Sequence, residues 1–426
     1  MHLLLRHDSI QPRLRAILPD AMASGLRRCA LLTAWLVVCA APALAEPYFA
    51  VREGLPCGAC HVNESGGGMR TDLVRTHARD ILHYPNFFGK FSNPPEFFSG
   101  EINQYLALGA DVRASNTATF QDQGSPANCP GPGGSTTNCV ANDKVFRGRL
   151  QTNDITVTEA VVYSEVRLIP DYLTFYVDQL LQPQTENREA FGLLKGVLPW
   201  NGWIKAGQMF LPYGLQLQDD GAFIRQGTNG SATTGFSFNQ QQAGGEIGVE
   251  PGPVTAMLAV SNGPSGDRDV QVTSTLYALF TDLPVVRNVM AGSSFSRVGP
   301  PGTQTTVFGF FAGSNYERLT VLGEADFRDD HNQATNGRTL GRFIAYGEGD
   351  YLFFDWLNFK AAVDYSDWDG SPGFQTSDSE NRVSFGIEPF LNRFLQTRLF
   401  YRVSNGIASN PTHNQSVVLA ELHLFF

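Results

Sequence analysis

The stretch Leu357-Asn358-Phe359-Lys360-Ala361-Ala362-Val363-Asp364-Tyr365-Ser366 alternates between two kinds of side chain. Leu357, Phe359, Ala361, Val363 and Tyr365 share one face of an extended chain, and Asn358, Lys360, Ala362, Asp364 and Ser366 share the other, because successive strand side chains point to opposite sides. One face suits lipid and the other suits water. The same division recurs from Arg318 to Phe327, where Leu319, Val321, Gly323, Ala325 and Phe327 oppose Arg318, Thr320, Leu322, Glu324 and Asp326. It recurs in the last strand, where Val418, Ala420, Leu422, Leu424 and Phe426 oppose Leu419, Glu421, His423 and Phe425.

Working outward from these segments, 16 strands are expected, beginning near residues 101, 145, 171, 190, 203, 243, 254, 271, 286, 304, 318, 341, 356, 381, 394 and 416. Their connections alternate in length. Ser115 to Asp143, Gln216 to Gln241, Asp329 to Thr339 and Asp367 to Glu380 are long and rich in Gly, Asn, Ser and Asp. Ile169-Pro170-Asp171, Glu250-Pro251-Gly252-Pro253, Thr281-Asp282-Leu283-Pro284 and Pro389-Phe390-Leu391-Asn392 are short. Long loops on one side, tight turns on the other and an even strand number describe a transmembrane antiparallel β-barrel with both chain ends in the periplasm. A soluble β-sandwich has no reason to alternate its loops in this way. The 31 Phe and 13 Tyr suit aromatic girdles at two membrane interfaces.

The N-terminus points to export. Arg27-Arg28 form a basic region, Cys29 to Ala41 an apolar run, and Ala43-Leu44-Ala45 a small-x-small cleavage site before Glu46. Residues 1–45 therefore read as a signal peptide, and the sequence downstream of Met22 is a complete one by itself. Cleavage removes five of the 31 basic residues and two of the 41 acidic ones, leaving 26 against 39 and a net charge of −13. So acidic a chain excludes nucleic acid as a partner of its bulk surface. Cys129 and Cys139 flank Pro130-Gly131-Pro132-Gly133-Gly134, a stretch flexible enough to let them meet, and an oxidising compartment favours a loop disulfide between them.

Twelve residues into the exported chain comes Cys57-Gly58-Ala59-Cys60-His61. Two thiols three apart with an adjacent imidazole are what a c-type haem requires, each sulfur joining a vinyl group and the histidine ligating the iron. Cys57 and Cys60 are the expected attachment points of one covalent haem c, and His61 its proximal ligand. Met69, after the flexible Gly66-Gly67-Gly68, and His83 or His77 are the distal candidates. Residues 46–90 form the monohaem cytochrome c-like segment, 91–100 a linker and 101–426 the barrel. A lumen closed by 16 strands is too wide for its own side chains to fill. The short haem segment is therefore expected to pack inside the periplasmic half as a plug.

The run from Pro47 through Tyr48-Phe49-Ala50-Val51-Arg52-Glu53-Gly54-Leu55-Pro56 to His61 resembles the entry motif of the fused outer-membrane cytochrome–porins, iron(II) oxidases of iron-oxidising bacteria. The resemblance extends to the order of parts: signal peptide, one haem motif, short linker, 16-strand porin. It implies haem attachment at Cys57 and Cys60, ligation by His61, extracellular Fe(II) as donor, a periplasmic cytochrome as acceptor and lipid around the barrel. Asp111, Glu324, Asp326, Asp364 and Glu421, expected to face the lumen, would draw in a small cation. Asp329-Asp330-His331 is expected in an outer loop, as a solvated stretch or a metal-capture site. Two other functions compete: a passive diffusion porin whose haem segment is a plug or redox sensor, and a haem enzyme with an open distal site.

Overall fold

The structure is a computed structural model that describes residues 47–71, 73, 99–121, 149–217, 222–226, 241–263, 266–299, 302, 304–331, 339–367, 379–392, 394–405 and 414–426. The disulfide expected between Cys129 and Cys139, and the distal candidates His77 and His83, lie outside the described residues.

A three-residue strand, β1 (Glu101–Asn103), pairs with the start of the first long one. The wall then runs through β2 (Leu106–Gln121), β3 (Arg149–Ile169), β4 (Leu173–Gln182), β5 (Glu186–Leu198), β6 (Gly202–Phe210), β7 (Gln241–Val249), β8 (Val254–Gly263) and β9 (Gly266–Phe280). It continues through β10 (Asn288–Val298), β11 (Thr305–Tyr316), β12 (Leu319–Asp330), β13 (Leu340–Phe354), β14 (Leu357–Asp367), β15 (Ser379–Asn392), β16 (Leu395–Asn405) and β17 (Gln415–Phe425). Every long strand pairs antiparallel with its sequence neighbour. β17 pairs back onto β2, from Ser416↔Phe120 to Phe425↔Asp111, which closes the cylinder at 16 staves and leaves no free edge.

The alternation read from the sequence sets which face looks where. Along β14, Phe359 and Val363 are exposed, while Asn358, Lys360 and Asp364 are buried. Along β12, Val321 and Phe327 face outward and Thr320, Glu324, Asp326 and Arg328 inward. An apolar belt of Phe175, Ile204, Leu258, Leu276, Phe310, Val383 and Leu399 encircles the outside. Exposed Tyr172, Trp200, Tyr316, Tyr351 and Phe353 lie beside the short turns, where an interfacial girdle belongs. Trp200 and Asn201 both take positive φ, 58° and 53°, in the tight β5–β6 turn, a conformation that matches strand twist there. No helix among the described residues is long and apolar enough to cross a bilayer.

Strand starts lie within about five residues of the sequence expectation throughout. The stave expected near 101 begins instead at Leu106, because Asn103 Oδ1 accepts hydrogen bonds from the amides of Tyr105 (2.8 Å) and Leu106 (3.1 Å) and turns the chain. The alternation of loop lengths has exceptions: on the long-loop side β4 and β5 are joined by only three residues, and β8 and β9 by two. Asp329 and Asp330 end β12 rather than lying in a loop.

The belt makes an expected result. Val363→Lys puts an ammonium on the lipid face and should cost roughly 2–4 kcal/mol if near the bilayer midplane. Reversible urea unfolding in lipid vesicles measures it, and an unchanged midpoint would show that this face does not meet lipid.

Candidate functional site

The lumen is not lined by water-exposed side chains as an empty pore would be. Asp178, Glu189, Lys205 and Glu388 have no exposed surface at all. Two segments of the chain cover them.

The first is the N-terminal segment, which meets wall strands around much of the circumference. Helix α1 (Pro47–Glu53) opens on a proline, which loses no hydrogen bond in the first turn. Gly54, at φ 68°, closes it, with the Leu55 amide donating to the Ala50 carbonyl (3.0 Å) in a Schellman pattern. Asn288 of β10 donates from Nδ2 to the carbonyls of both Val51 and Arg52 (2.8 Å each). Phe49 stands edge-on to Phe390 of β15 at 5.8 Å, and Lys360 of β14 lies 5.0 Å from the Tyr48 ring. Further along, Met69 donates its amide to Tyr176 Oη of β4 (2.9 Å), and the Arg70 guanidinium stacks 3.4 Å over Phe425 of β17. Many of these wall residues lie near the short turns, so the segment enters from the side that carries the chain ends.

Cys57 to Cys60 form the single-turn helix α2, with the His61 amide donating to the Cys57 carbonyl (3.0 Å). The turn sets the two thiols close together, with His61 next in the chain. The Glu64 carboxylate, paired with Lys195 of β5, lies over Gly58 where a Cβ would sit and would have to swing aside for any other residue there. His61 bridges Arg70 across a two-residue antiparallel ladder, and the Val62 amide donates to the Met69 carbonyl (2.9 Å). The Met69 side chain packs towards Gly109 of β2, its Cγ 3.5 Å from where a Cβ there would sit. Gly66, Gly67 and Gly68 reverse the chain between the two rungs, all with positive φ (96°, 82° and 66°).

Burial governs the ionisation of this segment. It pushes the Cys57 thiol up to about 12, reinforced by Cys60, and raises Cys60 against the opposing pull of Arg70. Burial, with Arg70 adding to it, lowers His61 to about 4, so the ring is neutral at pH 7 and keeps a lone pair. Two thiols with a neutral imidazole directly after them are a donor set that suits a covalently attached haem.

The triple glycine yields a graded expectation. A Cβ on Gly68 would sit 2.3 Å from Tyr176 Oη as well as forcing a positive φ, whereas one on Gly67 meets only the backbone penalty. Gly68→Ala should therefore loosen the segment by roughly 1–3 kcal/mol, the scale of a strained backbone, and Gly67→Ala by about 1 kcal/mol. Hydrogen exchange of the amides of residues 61–70 reads both. Equal effects would show that Tyr176 does not confine the turn.

The second filler was not foreseen. The stretch from Gln216 to Gln241 was expected as an external loop, yet Leu211 to Leu217 and helix α3 (Phe223–Gln226) fold inward and are largely buried. The wall holds them through polar groups: Tyr213 Oη donates to Asp326 (3.0 Å), the Leu215 amide to Glu324 (2.7 Å), the Gly214 amide to Ser294 Oγ (2.9 Å) and the Phe223 amide to Asp364 (3.1 Å). Gln216 reaches the glycine turn of the N-terminal segment, its Cγ 3.5 Å from where a Cβ on Gly66 would sit. The two fillers share one hydrophobic cluster with Tyr163, Tyr176 and Phe191 of the wall. The sequence signal was present in Leu211, Tyr213, Leu215 and Leu217, whose period-two apolar pattern continues beyond the strand.

All five acids expected in the lumen do face inward, but they do not form a cation-attracting lining. Asp111 is bound to His423 (2.7 Å), Asp364 to Arg382 (3.0 Å) and Glu421 to Arg398 (3.0 Å). Glu324 and Asp326 anchor the in-folded loop. Asp330 is held by Arg328 (3.0 Å) and Thr305 (2.6 Å), and His331 by Thr339 (3.1 Å), so Asp329-Asp330-His331 is not assembled around a metal. Among the described residues no group of three or more His, Cys, Asp and Glu side chains converges on one point.

This closed 16-strand cylinder, with its outer apolar belt and inward-folded segments, has the fold of the outer-membrane porins. The in-vitro folded, trimeric form of OmpT, an outer membrane protein of Vibrio cholerae, superposes with a TM-score of 0.52 over 76% of this chain and 100% of its own, at 10% identity. An anion-selective porin from Comamonas acidovorans superposes with a TM-score of 0.52 over 75% of this chain and 99% of its own, at 9% identity. No family model and no curated protein sequence matches the chain.

Proposed function

We propose that this chain works in the outer membrane as a porin-type barrel whose periplasmic half is occupied by its own N-terminal segment, and that the segment carries one covalent haem. Fold and belt support the membrane placement. The observation that supports the rest is Cys57-Gly58-Ala59-Cys60-His61 on a segment seated among the lumen-facing groups of the wall, held there through Asn63, Ser65 and Met69. Cys57 and Cys60 would hold the haem through thioethers and His61 would ligate its iron. Met69, His83 or His77 would supply the distal ligand. The group supplies one-electron exchange within a wall of low dielectric. The chain's own residues would hold the motif in place and keep His61 neutral. Electrons would pass from an extracellular donor to a periplasmic cytochrome. Fe(II) as that donor rests on the resemblance of the motif alone, since the lumen acids are already paired.

A passive diffusion porin is the second reading, favoured by the fold it shares with the anion-selective porin of Comamonas acidovorans. The two differ in what crosses. Stopped-flow mixing of Fe(II) with protein reconstituted in liposomes, its periplasmic side inward, should reduce an absorbing haem on the electron-transfer reading. A colourless protein that lets small sugars equilibrate would establish the diffusion reading instead.

A further inference from the structure

We propose that Lys205 of β6 is the positioning residue of the haem-motif segment, the wall group that registers the segment in the lumen and fixes the turn on which His61 rides. The positioning role rests on the seating of the segment, and only its spectroscopic arm rests on the haem.

The side chain has no exposed surface. Its ammonium donates to Asn63 Oδ1 (2.8 Å) and Ser65 Oγ (2.8 Å) and pairs with Glu246 Oε2 of β7 (2.9 Å), so all three protons are placed. Two of those three partners belong to the N-terminal segment. Around this centre the network is reciprocal. Ser65 Oγ also donates to Glu246 Oε2 (2.8 Å), and Glu246 Oε1 accepts from the Trp203 indole (2.9 Å). Asn63 Nδ2 donates to Glu189 Oε1 of β5 (2.8 Å), which also accepts the Phe210 amide (3.0 Å). Asn63 Oδ1 accepts the Ser65 amide (3.1 Å), which folds the segment into the shape that the ammonium grips. The Phe191 ring lies 5.4 Å from the ammonium.

Contrast with the rest of the lumen gives the arrangement its meaning. Arg188, Arg382 and Arg398 are each bound by carboxylates of the wall, to Asp178, Asp364 and Glu388. Lys205 is completed from the other side, by residues two and four beyond His61. Removing one member of a buried charged network leaves the others desolvated and unpaired, which is strongly destabilising. Three adjacent strands, β5, β6 and β7, thus present a fitted receptor for Asn63-x-Ser65, and the ladder from His61 to Arg70 is held in register by it.

The test uses the full chain folded in detergent, with heat-modifiable migration on a gel as the check that the barrel is intact. Lys205→Met should raise tryptic cutting after Arg70 by roughly tenfold or more, because cleavage follows the population of the unseated state. Lys205→Arg, which keeps the charge, should hold most of the protection. Asn63→Ala should match Lys205→Met, and the double variant should be no worse than either. In haem-bearing protein, Lys205→Met should also shift the reduced α-band while Lys205→Arg leaves it in place. Continued protection of Arg70 in Lys205→Met, or additive effects of the two substitutions, would overturn the proposal. Should Lys205→Met fail to form a barrel, Asn63→Ala with Ser65→Ala leaves the wall untouched and decides it, protection there counting against Lys205. A protein without haem whose Arg70 protection still depends on Lys205 keeps the positioning role and removes the haem reading alone.

Discussion

The variant in which both Cys57 and Cys60 are replaced by serine is expected to run as an intact, heat-modifiable barrel that takes no haem stain. The loss should be complete, because each thioether needs its own sulfur and a serine hydroxyl cannot replace it. The barrel should survive because the two thiols sit on a helix of four residues whose position is set elsewhere, by Asn288 on one side and by Asn63 and Ser65 on the other. Serine also differs little from cysteine in size. Covalent haem is read by peroxidase staining of denatured outer-membrane fractions from cells that express the cytochrome c assembly machinery. Stain that persists in the double variant would place the haem elsewhere.

Deleting residues 47–71 should raise the conductance of the barrel in planar bilayers by about an order of magnitude, since 16 staves enclose a channel that the wall's own side chains do not close. The in-folded loop from Leu211 to Gln226 would remain, held by Asp326, Glu324 and Asp364, so conductance should stay below that of a fully open cylinder. The deletion also strips Lys205 of two partners and Tyr176 of one, and the trimmed barrel should unfold in less denaturant. Unchanged conductance would show that the segment does not obstruct the lumen.

The barrel was legible because lipid on one side and a polar interior on the other impose a period of two on every stave, as in Leu357 to Ser366. Its strand starts followed from the same periodicity and from the turn residues. Cys57-Gly58-Ala59-Cys60-His61 stood out as a candidate because the chemistry it would serve is local, needing only five consecutive residues. What the sequence could not show was long-range. Lys205 lies 142 residues from Asn63, and no local pattern marks it as the partner of a plug rather than of another stave. Asp364, Glu421 and Asp111 read as free acids because their partners Arg382, Arg398 and His423 are assigned only by strand register. The in-folded loop escaped for a related reason: a segment rich in Gly and Asn resembles an external loop unless the apolar alternation of Leu211 to Leu217 is weighed against it.

The central structural claim, a haem-motif segment seated in the lumen of its own barrel, is tested most directly by a tryptic map of the folded protein in detergent. Arg52 and Arg70 are both buried in that seat. Both bonds should resist trypsin until the sample is heated past the loss of its fast-migrating form, and then be cut together. Cleavage after Arg70 in the intact, fast-migrating protein at the rate of the heated one would contradict it.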